Sequence, residues 1–366
     1  MTAQPPIVHV VGARPNFIKA APVIADLRAR GVEQRLVHTG QHYDDAMSAV
    51  FFRDLDLPTA DLDLGVGSGT QAGQTAALMV ALEGAIEGLR PAAVVVYGDI
   101  NSTLAAALVA AKLGVRLAHV EAGLRSFDRS MPEEINRVVT DQLSDLLFVT
   151  SPEGLDNLVH EGVPGEAAFV GNPMIDTLLA NLARFDPAAG RARFGLTGDY
   201  AVATVHRPAN VDDPDAAARI VAALRAVGEL MPVVLPLHPR GKAMLESAGL
   251  GTVGRLIVVE PLGYIEFLGL VRGARVAITD SGGIQEETTI LGIPCLTMRP
   301  NTERPITISQ GTNRLVEPAE LAAAVMTIVG GRADVPTEPP PLWDGHAGER
   351  IGAILAAKYG PPAGRG

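Results

Sequence analysis

Three carboxylates stand where acid/base chemistry would want them. Asp99 follows the apolar run Ala93–Tyr97, in Gly98-Asp99-Ile100-Asn101-Ser102-Thr103. Glu121 closes the run Leu117–Val120, in His119-Val120-Glu121-Ala122-Gly123-Leu124-Arg125-Ser126. Glu133 opens a helical stretch, in Met131-Pro132-Glu133-Glu134-Ile135-Asn136-Arg137. Each has an ordinary structural reading on its own. Asp99, Ser102 or Thr103 caps the next helix, Glu121 forms a local ion pair with an arginine, and Glu133 answers a helix dipole. Taken as ends of neighbouring elements, however, all three fall on one edge of one sheet. Crowded carboxylates repel one another, so perturbed pKa values are expected of them. Folding alone has little reason to collect such groups, whereas proton transfer does.

A second set suits an anion. Thr279-Asp280-Ser281-Gly282-Gly283-Ile284-Gln285-Glu286-Glu287 runs from a strand into a helix. Small residues at that point leave the backbone N–H groups of Ser281, Gly282 and Gly283 free to hold a diphosphate. Glu287, one turn on, can accept both hydroxyls of a ribose. The plainer alternative is a small-residue turn with an acidic first helical turn. Gly12-Ala13-Arg14-Pro15-Asn16-Phe17-Ile18-Lys19 likewise puts Arg14 and Lys19 at a helix N-terminus, as an anion site or as two solvated cations. His206 and His238 each end a strand, and Arg299 and Arg304 follow another. There is no Walker A motif, no H-E-x-x-H and no cysteine pair, and the Gly65–Gly69 run reads as a loop. Neither a metal site nor a redox dinucleotide is expected, and no cofactor.

The elements that must position these residues form two series. Candidate strands are Ile7–Val11, Leu36–Thr39, Ala93–Tyr97, Leu117–Val120 and Leu146–Val149, then Ala201–Val205, Val233–Leu237, Leu256–Val259, Val276–Thr279 and Cys295–Met298. Helix candidates alternate with them: Pro15–Arg30, Thr70–Leu89, Thr103–Leu113, Glu133–Leu143, Asp215–Leu230, Gly283–Leu291 and a final Ala347–Lys358. Alternation of this kind implies α/β architecture, with parallel sheets covered on both faces. Two series imply two doubly wound halves. Phe185–Asp199 reads as a loose hinge zone and Val335–Pro341 as a second loose stretch. Ligands of open α/β sheets bind beyond the carboxyl ends of strands, where the residues above stand.

Composition narrows the partners. The chain has 366 residues, 47% hydrophobic and 19% charged, which describes a globular core. A net charge of −11 provides no basic footprint for nucleic acid, and 4% aromatics provide no stacking platform. The single cysteine, Cys295, rules out an internal disulfide. The N-terminal residues lack the pattern of a signal peptide, and no window is long and apolar enough for a membrane span. The expectation is a cytoplasmic protein acting on a small anionic molecule.

In order along the chain, GARPNFIK, HTGQHYD, YGDINSTL, HVEAGLRS, MPEEINR, GNPMID, TVHR, TDSGGIQEE and TERP resemble the UDP-N-acetylglucosamine 2-epimerase family. The resemblance runs from Gly12 to about Val316. It implies a GT-B fold, two Rossmann-like domains with a cleft between them. The expected division is 1–170 with a C-terminal helix at about 346–366, and 171–345 as the UDP-binding domain. It also implies a homodimer and a reaction that eliminates UDP from C1 as a base removes the C2 proton, then re-adds it. On the resemblance, Asp99, Glu121 and Glu133 are the acid/base set, with Lys19 in the same site and His206 near the diphosphate. Arg14, the backbone near Leu262, and Phe267 would hold uracil. Ser281, Gly282 and Gly283 would take the diphosphate, Glu287 the ribose, and Arg304 the negative charge. Some positions depart from the commoner bacterial pattern: Asp44, the stretch Ser68–Gln71, and Pro208-Ala209 after His206-Arg207. In the family these bind a second UDP-N-acetylglucosamine as activator. The HTGQHYDDAMS and GLRSFDRSMPEEINR segments also resemble relatives acting on modified UDP-sugars, including diacetamido-uronic acids. A hydrolysing 2-epimerase and a GT-B glycosyltransferase are the remaining alternatives.

Overall fold

The computed structural model describes residues 4–40, 52–237, 239–251, 255–331, 335–336 and 338–360. The chain divides into two compact units: one runs to Ala180 and resumes at Pro341, and the other is Asn181–Pro340. Unit 1 contains β1 (Ile7–Val11), α1 (Arg14–Ala29), β2 (Gln34–His38), β3 (Leu62–Asp63), α2 (Gln71–Leu89), β4 (Ala93–Tyr97), α3 (Asn101–Leu113), β5 (Arg116–Ala122), α4 (Pro132–Leu143), β6 (Leu146–Val149), α5 (Pro152–His160), β7 (Glu166–Phe169) and α6 (Pro173–Asn181). Unit 2 contains α7 (Pro187–Arg193), β8 (Ala201–Thr204), α8 (Pro214–Leu230), β9 (Val233–Pro236), α9 (Pro239–Ser247), β10 (Leu256–Val259), α10 (Tyr264–Arg272), β11 (Val276–Thr279), α11 (Gly282–Leu291), β12 (Cys295–Thr297), β13 (Asn313–Leu315) and α12 (Leu321–Val329). The last helix, α13 (Ala347–Tyr359), belongs to unit 1.

Both sheets are parallel, in the orders β3-β2-β1-β4-β5-β6-β7 and β10-β9-β8-β11-β12-β13. The expected α/β class with two Rossmann-like, GT-B-type sheets is therefore what the chain adopts. β1 and β4 are buried along their whole length, the mark of strands covered on both faces. In each unit the strand order reverses once, between β1 and β4 and between β8 and β11. The crevice beyond the strand ends at such a reversal is where an open α/β sheet takes its ligand.

Three strands escape a search for apolar runs. β3 is exposed, β7 is exposed at Glu166 and Ala167, and β13 has only three residues. Phe185–Asp199 is not loose chain. Asp186 caps α7 through the amides of Ala188 and Ala189, and Arg191 donates to the Gly273 carbonyl at 3.0 Å, so the segment is pinned to the end of α10. Among the described residues, no helix is long and apolar enough to cross a membrane.

Candidate functional site

In unit 1 the turn after β1 passes under the neighbouring strand ends. A Cβ on Gly12 would overlap the hydroxyls of Thr39 and Ser102, so only glycine allows that approach. Asn16 accepts from the Gly12 and Ala13 amides at 3.1 Å and donates to the Tyr97 carbonyl at 2.7 Å, tying α1 to the end of β4. Arg14 is half-buried at the first position of α1. Lys19 is buried, and its ammonium is paired with the Glu121 carboxylate.

Glu121 is 3% exposed and has a φ of +78°. The register of β5 on β6 slips between Val120 and Ala122, so Glu121 is the additional residue of a bulge. Gly98 faces it: a Cβ there would lie 3.1 Å from Glu121 Oε2 and 3.2 Å from Lys19 Nζ. The next residue, Asp99, accepts from Arg137 Nε at 2.9 Å and Nη2 at 2.6 Å through a single oxygen. Arg137 is 2% exposed and also holds Glu134, at 2.5 Å. Glu134 closes the loop before α4 by accepting from the amides of Ser126 and Phe127.

The carboxylates expected from the sequence to crowd one another are each found with different surroundings. Asp99 pairs with buried Arg137, which it shares with Glu134, and Glu121 pairs with buried Lys19. Glu133 is different. It is half-buried in the first turn of α4, and its carboxylate makes no hydrogen bond or ion pair with the described residues. It lies four residues before Arg137 and so shares that residue's helix face, the face turned to Asp99.

Unit 2 places its polar groups at the ends of β8 and β11. Asp280 is fully buried and shares a 2.6 Å hydrogen bond with His206 Nδ1. It also accepts from the Arg207 amide at 2.9 Å and the Asn210 side chain at 3.0 Å. Burial pushes its carboxyl up, but the His206 charge and these hydrogen bonds outweigh burial and hold it down at about 2. The imidazole is thereby oriented, with 56% of its side chain open to solvent. Ser281 is the N-cap residue of α11 and makes no side-chain cap; its own amide, expected from the sequence to be free for a diphosphate, instead donates to Thr279 Oγ1 at 2.9 Å. Arg304 packs so closely on Gly282 that a Cβ there would overlap the guanidinium. It pairs with Glu303 and, at 2.9 Å, with Glu286, while Arg299 holds the other oxygen of Glu303 at 2.8 Å.

Glu287 is buried, which raises its carboxyl to about 8; the nearby Tyr264 hydroxyl opposes this and the neighbouring Glu286 adds to it. Leu262 is buried in the turn between β10 and α10, and Phe267 is half-buried on α10. His238 and Asp44 lie outside the described residues. Of the residues expected to form a site, unit 1 therefore carries Arg14, Lys19, Asp99, Glu121 and Glu133. Unit 2 carries His206, Leu262, Phe267, Ser281, Gly282, Gly283, Glu287 and Arg304. Sequence reasoning passed over Asn16, Glu134, Arg137 and Asp280, the groups that hold the others. Asp280 had a signal, as an acid directly after an apolar strand and before a small-residue turn. Among the described residues, no group of three or more His, Cys, Asp or Glu side chains is arranged to hold a metal ion.

Comparison with known proteins places these observations. A family model described as UDP-N-acetylglucosamine 2-epimerase matches residues 25–356. A UDP-N-acetylglucosamine 2-epimerase of Methanocaldococcus jannaschii is 40% identical over 364 residues, covering 96% of this chain and 99% of the relative. A UDP-2,3-diacetamido-2,3-dideoxy-D-glucuronate 2-epimerase of Pseudomonas aeruginosa is also 40% identical, over 356 residues and with the same two coverages. Among solved structures, the M. jannaschii UDP-GlcNAc 2-epimerase in complex with UDP-GlcNAc and UDP matches with a TM-score of 0.88 at 38% identity, covering 96% of this chain and 99% of that one. The UDP-GlcNAc 2-epimerase of Neisseria meningitidis bound to UDP-GlcNAc matches with the same TM-score and coverages at 27% identity.

Proposed function

The chain belongs to the UDP-N-acetylglucosamine 2-epimerase family, and on that premise we propose that it interconverts UDP-N-acetylglucosamine and UDP-N-acetylmannosamine. The observation that carries the reading is the trio at the ends of β4 and β5 and the start of α4. Asp99 and Glu121 are each backed by a buried cation, and Glu133 stands on the same helix face as Arg137, without a partner of its own among the described residues.

A carboxylate takes the C2 proton as the C1–O bond to UDP breaks, and the electron pair of the C2–H bond becomes the C1=C2 double bond of a 2-acetamidoglucal. Protonation at C2 from the opposite face, with return of UDP to C1, gives the epimer. The C2 proton is not acidic, so positioning and stabilisation of the departing diphosphate supply most of the rate. In unit 2, the Gly282 and Gly283 amides and the Arg304 charge serve the diphosphate, with Ser281 opening the turn and His206 beside it. Glu287 serves the ribose, and Leu262 and Phe267 the uracil. Asp99, Glu121 and Glu133 act as a set with Lys19, without division of the two proton transfers among them.

One further observation favours a second substrate. Identity to the diacetamido-glucuronate epimerase equals that to the UDP-N-acetylglucosamine epimerase, so a modified UDP-hexosamine is the alternative. The test is proton NMR of the chain with UDP-N-acetylglucosamine in deuterium oxide. The expected result is the manno epimer with deuterium at C2, without added metal or nicotinamide. Turnover without C2 exchange would reject the elimination route; turnover of the diacetamido-uronate alone would select the second substrate.

A further inference from the structure

Glu121 is held in left-handed backbone that a residue with a Cβ avoids, and such a conformation persists only where its surroundings over-determine it. The surroundings converge on Asp141, in the last turn of α4. Asp141 Oδ1 bonds His119 Nδ1 at 2.7 Å, two residues before Glu121. Its Oδ2 accepts from the Gly123 amide at 3.1 Å, two residues after Glu121, and pairs with Arg125 at 2.7 Å. One carboxylate thus grips both flanks of the bulge. His119 Nε2 donates to the Gly98 carbonyl at 2.8 Å, so the same grip reaches the turn that carries Asp99. His119 and Asp141 are fully buried. Burial alone would push the Asp141 carboxyl up, but the His119 and Arg125 charges and hydrogen bonds hold it below the usual range.

We propose that Asp141, through His119 and the Gly123 amide, is the positioning residue that sets the Glu121 carboxylate for proton transfer. The proposal rests on the 2-epimerase reading above. Asp141 itself is sealed from substrate, and it acts only through the geometry of the residue it brackets.

The test is a double-substitution cycle on the full chain, with UDP-N-acetylglucosamine as substrate. Asp141→Asn should lower kcat about 100-fold, the scale of a ~1 Å displacement of a reacting group, and leave KM within about threefold. In a Glu121→Gln background the same substitution should cost less than about twofold, because nothing remains to be positioned. Equal losses in both backgrounds, or a loss carried mainly by KM, would overturn the proposal. His119→Gln cuts the same grip from its other end and serves if Asp141→Asn does not fold; the same pattern is expected. A crystal structure of either variant reads the grip without activity. Glu121 leaving positive φ supports the proposal, and Glu121 unmoved overturns it. If the unsubstituted chain epimerises no UDP-sugar, the function reading fails and that crystal structure alone decides.

Discussion

Asp99, Glu121 and Glu133 are chemically alike and differ in what stands behind them, an arginine, a lysine and neither. Replacing each by its amide, as Asp99→Asn, Glu121→Gln and Glu133→Gln, should lower kcat by at least about 100-fold, the usual weight of an acid/base group. UDP affinity should change little, since the residues assigned to UDP stand mostly in unit 2. Near-full activity in two of the three would return them to the roles of caps and ion pairs. Glu287 makes a different prediction. Its folded-state carboxyl, at about 8, lies above the ordinary glutamate value. The folded protein thus keeps a proton that the unfolded chain releases, and the stability this adds is complete below about pH 4.3 and is lost as pH rises through 8. Melting temperatures of the ligand-free protein should fall between pH 5 and 8.5, and Glu287→Gln, neutral throughout, should flatten that slope. Equal slopes would remove Glu287 as the cause. At this scale the sequence showed the acids but not their duties. Glu133 and Glu134 are neighbours in one motif and stand four and three residues before Arg137, and only the structure shows that Glu134 is the one paired with it.

At the scale of the element, long apolar strands were legible because burial on both faces leaves an unbroken apolar run. β3, β7 and β13 were not, because edge strands need no such run. Neither was the bulge in β5. An acidic residue at a strand end says nothing about φ, and the grip that bends the strand comes from α4, some twenty residues away. Gly123, just past the bulge, is where this geometry is least tolerant. Its φ is +80°, and a Cβ would overlap the Gly154 carbonyl at the start of α5. Gly123→Ala adds left-handed strain to an overlap with backbone that cannot swing aside, so it should cost about 2–4 kcal/mol in denaturant unfolding. A loss below ~0.5 kcal/mol would mean that α5 can move away from β5, contrary to a rigid junction.

At the scale of the whole molecule, the chain leaves unit 1 at Ala180 and returns to it at Pro341. Trp343 donates to the Thr150 carbonyl at 2.9 Å, and the Gly348 amide donates to Asp176 at 2.6 Å. Gly348 and Gly352 let α13 lie directly against Pro22 and Asp26 of α1, while Ile351 and Leu355 are fully buried. Each such side chain is worth about 1.5–3 kcal/mol of burial. Deleting residues 346–366 should therefore lower the unfolding midpoint of unit 1 and leave that of unit 2 nearly unchanged. The chain provides both reporters: its one tryptophan, Trp343, in unit 1, and its one cysteine, Cys295, in unit 2. Burial pushes the Cys295 thiol up to about 11, so reagent should label it only when unit 2 opens. A common shift of tryptophan fluorescence and thiol labelling would show instead that the units unfold together.

The returning helix also sets an order of events in time. On a translating ribosome, every strand of the first sheet has emerged before unit 2 begins, yet the flank of α1 stays bare until Asn181–Pro340 has been made. At ~5–20 residues per second that wait is on the order of ten seconds. The half made first is therefore the half completed last, and for that interval its open flank is the surface a chaperone would meet.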